Sequence, residues 1–155
     1  MSTLKDRLHD DLTAAIKSRD ELTAATVRMA LAAITNEEVS GKVARELSDD
    51  DVVAVLGKEA KKRKESAAAY DDAGRADLAD RERAELGVLE RYLPEQLDDD
   101  ALAEIVSAAV VQARADGAEG PRAMGVVMKI VQPQVAGRAD GGRVAALVKQ
   151  QLGLG

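Results

Sequence analysis

Cysteine is absent from this 155-residue chain, which excludes a disulfide scaffold, a thiolate zinc site and a cysteine nucleophile. Phenylalanine and tryptophan are absent too, leaving Tyr70 and Tyr92 as the only aromatic side chains. Strands want aromatic and β-branched residues on their pleated faces, so this scarcity argues for helices packed closely through alanine and leucine. His9 is the only histidine; with no cysteine to pair it, it reads as a surface residue beside Asp10. No apolar run approaches the roughly 18 residues of a membrane span, and the N-terminus lacks a signal-like hydrophobic core. A cytoplasmic protein without a membrane partner is expected. No P-loop, dinucleotide fingerprint or metalloprotease motif is found, so no catalytic residue, metal ion or cofactor is assigned.

What is present belongs to a folded protein. A composition 46% hydrophobic and 32% charged is too apolar for a disordered chain, and the length can bury a core as one domain or two small ones. The net charge of −6 argues against a general nucleic-acid binder. Its distribution is uneven, however. From Arg114 onward, Arg114, Arg122, Lys129, Arg138, Arg143 and Lys149 face only Asp116, Glu119 and Asp140. An anionic partner would be steered to that end.

The hydrophobic spacing predicts seven helices. Leu4, Leu8, Leu12, Ala15 and Ile16 form the stripe of the first. The second runs from about Glu21 to Val39 and is apolar on two sides, with Leu22, Thr26, Met29 and Ala33 on one and Val27, Leu31 and Ile34 on the other. It should therefore lie centrally. After an exposed link over 41–47, Ser48 caps the third helix in a capping box with Asp51, and Leu47 can staple onto Val52. Gly74 ends that helix, and the fourth runs from Arg75 to about Tyr92, where Pro94 bars continuation. Asp98 then caps a fifth helix carrying Leu102, Ile105, Val106, Ala109, Val110 and Ala113 on its inner face. Pro121 opens a sixth, which Pro133 and Gly137 end, with Met124, Val127, Met128 and Val131 on one face. The seventh runs from about Asp140 to Leu152. The expected fold is all-α: a four-helix domain over 1–95 containing a helical hairpin, and a three-helix domain over 96–155.

Charged residues lie where the third and fourth helices should face each other. If Gly74 is the turn of a hairpin, residues equally distant from it meet. Arg63 then faces Glu85, Ser66 faces Glu82, and Tyr70 faces Leu78. The Arg63, Ser66, Glu82 and Glu85 network reads either as a registry device or as a polar site in which Arg63 grips a carboxylate or phosphate. The run Lys58, Lys61, Lys62, Arg63 and Lys64 spreads around its helix with Glu59 and Glu65 interleaved, which marks a solvated face. The triplets over 49–51 and 98–100 sit where helix starts attract acid, and three successive side chains cannot converge on one magnesium ion.

Several spaced motifs carry a resemblance to the YqeY family over nearly the whole chain. They are Lys61-Lys62-Arg63-Lys64-Glu65-Ser66, Tyr70 with Ala73-Gly74-Arg75, Glu82, Glu85 and Tyr92-Leu93-Pro94. Further along come Gly120-Pro121, Met124-Gly125, Val127-Met128 and Gly137-Arg138-Ala139-Asp140-Gly141. The C-terminal part also resembles the tail domain of the B subunit of the tRNA-dependent amidotransferase, GatB. In that enzyme the tail contacts tRNA, whereas amide transfer belongs to parts with no counterpart in this chain. The resemblance therefore implies a non-catalytic, tRNA-associated accessory protein, with tRNA or an amidotransferase component as partner. Gly125, Lys129, Gly137, Arg138 and Arg143 match the tail's glycine-basic signature. Where the tail tends to have a proline before its last helix, this chain has Asp140-Gly141. The link at Gly137 is expected to turn backbone donors and the positive start of the last helix toward a phosphate. Two alternatives stand beside this reading. One is a helical module for a protein partner. The other is a carbon–nitrogen ligase using glutamine as amide donor, for which no nucleophile is visible.

Overall fold

The computed structural model describes residues 3–154, and these form seven α-helices with no strand. They are α1 (Leu4–Ser18), α2 (Glu21–Glu38), α3 (Asp49–Asp72), α4 (Ala76–Glu90), α5 (Asp99–Ala115), α6 (Pro121–Val135) and α7 (Gly141–Leu152). The chain divides into two compact units, Met1–Leu93 and Pro94–Gly155.

In the first unit the helix boundaries follow from local caps. The Thr3 hydroxyl accepts the Asp6 N–H at 3.1 Å while Asp6 accepts the Thr3 N–H, a reciprocal box that opens α1. Ser48 and Asp51 form the same box at the start of α3. Each such cap contributes about 1 kcal/mol. Arg19 ends α1 in the left-handed conformation, φ 61°, and Asp20 caps α2 immediately afterwards. Gly74 at φ 73° makes the reversal between α3 and α4, the most extensively packed helix pair of the unit.

The core gathers Leu8, Val27, Leu31, Ile34, Leu56 and Leu89 with the aromatic ring of Tyr92. Fully burying each aliphatic side chain stabilises by about 1.5–3 kcal/mol. Here α2 touches α1, α3 and α4, as a central helix must. Its apolar surface is not wholly covered, however. Thr26 is buried with the Val27–Ile34 side, but Leu22 and Met29 are 39% and 48% exposed. Ile16 of α1 is also exposed, at 51%. Three neighbours cover one broad side of α2, and periodicity cannot say that none lies over the rest. The link over 41–46 is exposed, while Leu47 is buried in the core beside Val52.

In the second unit α5, α6 and α7 enclose Leu102, Val106, Val127, Val131, Val144 and Val148, all fully buried. Asp98 caps α5 by accepting the Ala101 N–H at 2.7 Å. Pro121 occupies the first turn of α6, where its missing donor costs nothing. Pro133 does not end α6, which continues to Val135. That extra half-turn inserts Val135 into the core, 2% exposed, and its burial offsets the backbone bond that proline cannot make.

Candidate functional site

The hairpin brings Arg63 to its buried face, where the residue is 6% exposed. Its Nη1 donates to the Glu59 carboxylate at 2.6 Å, and its Nε lies 3.5 Å from Glu85. The remaining nitrogen, Nη2, donates to the Met29 sulfur on α2 at 3.7 Å. The Nε makes no hydrogen bond, so Glu85 acts on it through charge rather than aligned donation. Glu82 and Ser66 are half-buried and take no part in this cluster. Glu59, which the helical spacing places on the same stripe one turn before Arg63, is its i,i+4 partner, whereas counting from Gly74 gave only the partner across the hairpin. Arg63 is held on three sides, which gives it the work of fixing α3 against α4 and α2.

The C-terminal candidates separate into two groups. Arg138 and Arg143 are turned inward onto the segment before α5. Arg138 donates from Nε to the Glu95 carbonyl at 3.1 Å and from Nη1 to the Gln134 carbonyl at 3.3 Å. Its own carbonyl accepts the Leu97 N–H at 2.9 Å, and Gln96 donates to the carbonyl of Gly137 at 2.9 Å. Arg143 donates to the Leu97 carbonyl at 3.3 Å and pairs with Asp99. Gly137 provides the turn at φ 73° that this clamp requires. The expected open, positive start of the last helix is also altered. Asp140 caps α7 and accepts the Arg143 N–H at 3.3 Å, placing a carboxylate where a phosphate would sit.

Gly125 and Lys129 form the other group. Both are exposed on α6, and Arg122 lies on the same stripe by helical spacing. Neither Arg122 nor Lys129 makes a hydrogen bond or ion pair among the described residues, so both charges are open to solvent. A side chain built at Gly125 would meet no neighbour, which leaves clear space between the two cations. The N-terminus of α6 has no side-chain cap at Gly120. Arg114 at the end of α5 and Gly120 line one cavity of about 320 Å³. Arg122 and Arg114 were legible only as members of the basic C-terminal set.

The acidic triplets serve the helix ends. The Ser48 hydroxyl, with its backbone N–H, holds the Asp51 carboxyl below its ordinary range, and Asp49 accepts the Leu4 N–H at 3.0 Å. His9 is exposed. Among the described residues, no three His, Cys, Asp or Glu side chains are grouped to hold a metal ion. No helix among them is long and apolar enough to cross a membrane.

The family model described as Yqey-like protein matches residues 5–152. The chain is 29% identical over 151 residues to altered inheritance of mitochondria protein 41, mitochondrial, of Pyrenophora tritici-repentis, covering 95% of this chain and 80% of that protein. It is 36% identical over 86 residues to the protein of the same name from Meyerozyma guilliermondii, covering 56% of this chain and 44% of that protein. An uncharacterized protein of Schizosaccharomyces pombe is 36% identical over 81 residues, covering 52% and 63% respectively. The chain belongs to the YqeY family.

Proposed function

We propose that this YqeY-family chain is a non-catalytic, cytoplasmic accessory protein that contacts tRNA through the outer face of α6. The observation that carries the reading is the stripe of Arg122, Gly125 and Lys129, two cations without internal partners flanking a gap. Lys129 stands about 10 Å along the helix from Arg122, so each cation can meet a different phosphate. Arg138, Arg143 and Gly137 serve the surface indirectly, by holding the segment over 95–97 against the start of α7. With few phosphate contacts, binding is modest and falls steeply with salt. No aromatic side chain lies in this unit, so base stacking and sequence readout are not expected.

The test is a titration against bulk tRNA at several salt concentrations. Wild type is expected to bind at low salt, and Arg122→Ala with Lys129→Ala to lower the log–log salt slope by about 1–2. An unchanged slope in the double variant would sink the α6 assignment. No wild-type binding even at low salt would sink the tRNA reading itself.

A second reading rests on α2. Leu22, Ala25, Met29 and Ala32 are exposed on one helical stripe, the arrangement with which a partner helix is received. A complex that survives high salt and is lost in Leu22→Glu with Ala25→Glu, which leaves the Met29 contact to Arg63 in place, would favour this reading over tRNA.

A further inference from the structure

A concavity of about 360 Å³ lies in the first unit, lined by Arg7, Asp11, Ser18, Asp20, Arg91 and Tyr92 among others. Tyr92 is buried, and its phenol donates to Asp11 Oδ2 at 2.6 Å. The guanidinium of Arg7 lies over the Tyr92 ring, 4.8 Å from its centre, and Nη2 donates to the Arg91 carbonyl at 3.2 Å. Asp20 uses both oxygens on Thr23, accepting the N–H at 3.1 Å and the hydroxyl at 2.8 Å. The carboxylates are thus largely occupied by internal donors.

The donors are not occupied in the same way. Among the described residues the Arg91 guanidinium makes no hydrogen bond or close ion pair, its charge acting on Asp20 only at longer range, and Arg7 commits one of its five N–H groups. Two guanidinia therefore offer more donors than the two oxygens of a planar carboxylate can use, and they match the several oxygens of a phosphate. The acceptors left over are Asp11 Oδ1 and the oxygen of Ser18, whose hydroxyl donates to the Ala15 carbonyl at 3.3 Å. Those suit hydroxyl groups. The volume falls in the range of small-metabolite sites, roughly 300–1,000 Å³, and exceeds the need of a bare anion. Arg7 covers the Tyr92 ring, which leaves no aromatic face for a nucleobase to stack on.

We propose that this concavity binds a small phosphomonoester bearing hydroxyl groups, with the phosphate on Arg91 and Arg7 and the hydroxyls donating to Asp11 and Ser18. The ligand is a sugar-phosphate type, distinct from the phosphodiesters of RNA and bound in a different unit from the α6 surface. Tyr92 supplies the readout. In the full chain carrying Tyr70→Phe it is the only fluorophore, and the change keeps the Tyr70 carbonyl that accepts the Arg75 N–H, while the Tyr70 phenol makes no hydrogen bond among the described residues.

Ribose 5-phosphate is titrated against this protein, with ribose, inorganic phosphate and sodium chloride as controls. Amide chemical shifts at Arg7, Asp11, Ser18 and Arg91 are followed alongside the fluorescence. The expected result is saturable binding of ribose 5-phosphate, tighter than inorganic phosphate, with no response to ribose or chloride. Arg91→Gln, a change at an exposed side chain, should weaken it about tenfold or more. The proposal is overturned by the absence of any saturable response up to about 10 mM, which corresponds to negligible affinity. It is equally overturned if inorganic phosphate binds as tightly as the ester, or if Arg91→Gln leaves the affinity unchanged.

Discussion

Replacing Arg63 by alanine removes a cation that holds two nearly enclosed carboxylates. The Glu59 and Glu85 side chains are 15% and 13% exposed, so each keeps little water to solvate its charge. Breaking a buried ion pair from one side costs about 3–5 kcal/mol. Lys62 lies 3.6 Å from Glu59 and Arg81 lies 3.8 Å from Glu85, and these exposed cations relieve part of the loss. The expected cost is therefore at the low end, about 3 kcal/mol. With a urea slope of roughly 1.5 kcal/mol per M, the midpoint should fall by about 2 M. Both tyrosines lie in the first unit, so intrinsic fluorescence reports its unfolding without contribution from the second. Arg63→Met combined with Glu59→Gln and Glu85→Gln should recover most of the loss, since no buried charge is then left alone. A destabilisation of Arg63→Ala below about 1 kcal/mol would refute this reasoning and would place the cluster with ordinary surface pairs.

Three further outcomes follow from the packing and the caps. Leu102→Ala, at a fully buried site in the second unit, should cost about 2–5 kcal/mol; the loss should appear in helical circular dichroism and leave the tyrosine transition in place. Pro133→Ala should raise the melting temperature, because an exposed position in the last turn of α6 regains a backbone donor worth about 1–3 kcal/mol. The Lys5 ammonium holds the Glu38 carboxyl below its ordinary range, and Ser48 does the same for Asp51. Their stabilisation is present above the usual carboxylate range, near pH 4, and is lost as pH falls through the lowered folded values. Urea midpoints measured by tyrosine fluorescence should drop on acidification, and by less in Glu38→Gln.

The elements whose causes are local were readable from the sequence. Ser48 with Asp51, Asp98 before α5, Pro121 opening α6 and Gly74 closing α3 each act within a few residues, so spacing alone exposed them. The pairing of Arg63 with Glu85 came from counting equal distances from Gly74, because a hairpin converts sequence distance into facing positions. What depended on distant neighbours was not readable. Tyr92 and Asp11 are 81 residues apart, and no periodicity links them. The exposure of Leu22, Met29 and Ile16 depends on how far the neighbouring helices reach, which an apolar stripe does not encode. Arg138 and Arg143 looked like free cations because their partners are mostly backbone carbonyls, which carry no residue signature. Pro133 looked like a terminator because the gain from burying Val135 is a tertiary term.

The most direct measurement of the proposed tRNA contact is a lysine acetylation footprint, read by mass spectrometry with and without bulk tRNA at low salt. Lys129 lies on the α6 stripe, whereas Lys17, Lys42 and Lys58 are exposed in the first unit. tRNA is expected to slow acetylation of Lys129 and to leave those three unchanged. Protection of the first-unit lysines with Lys129 still reactive would contradict it.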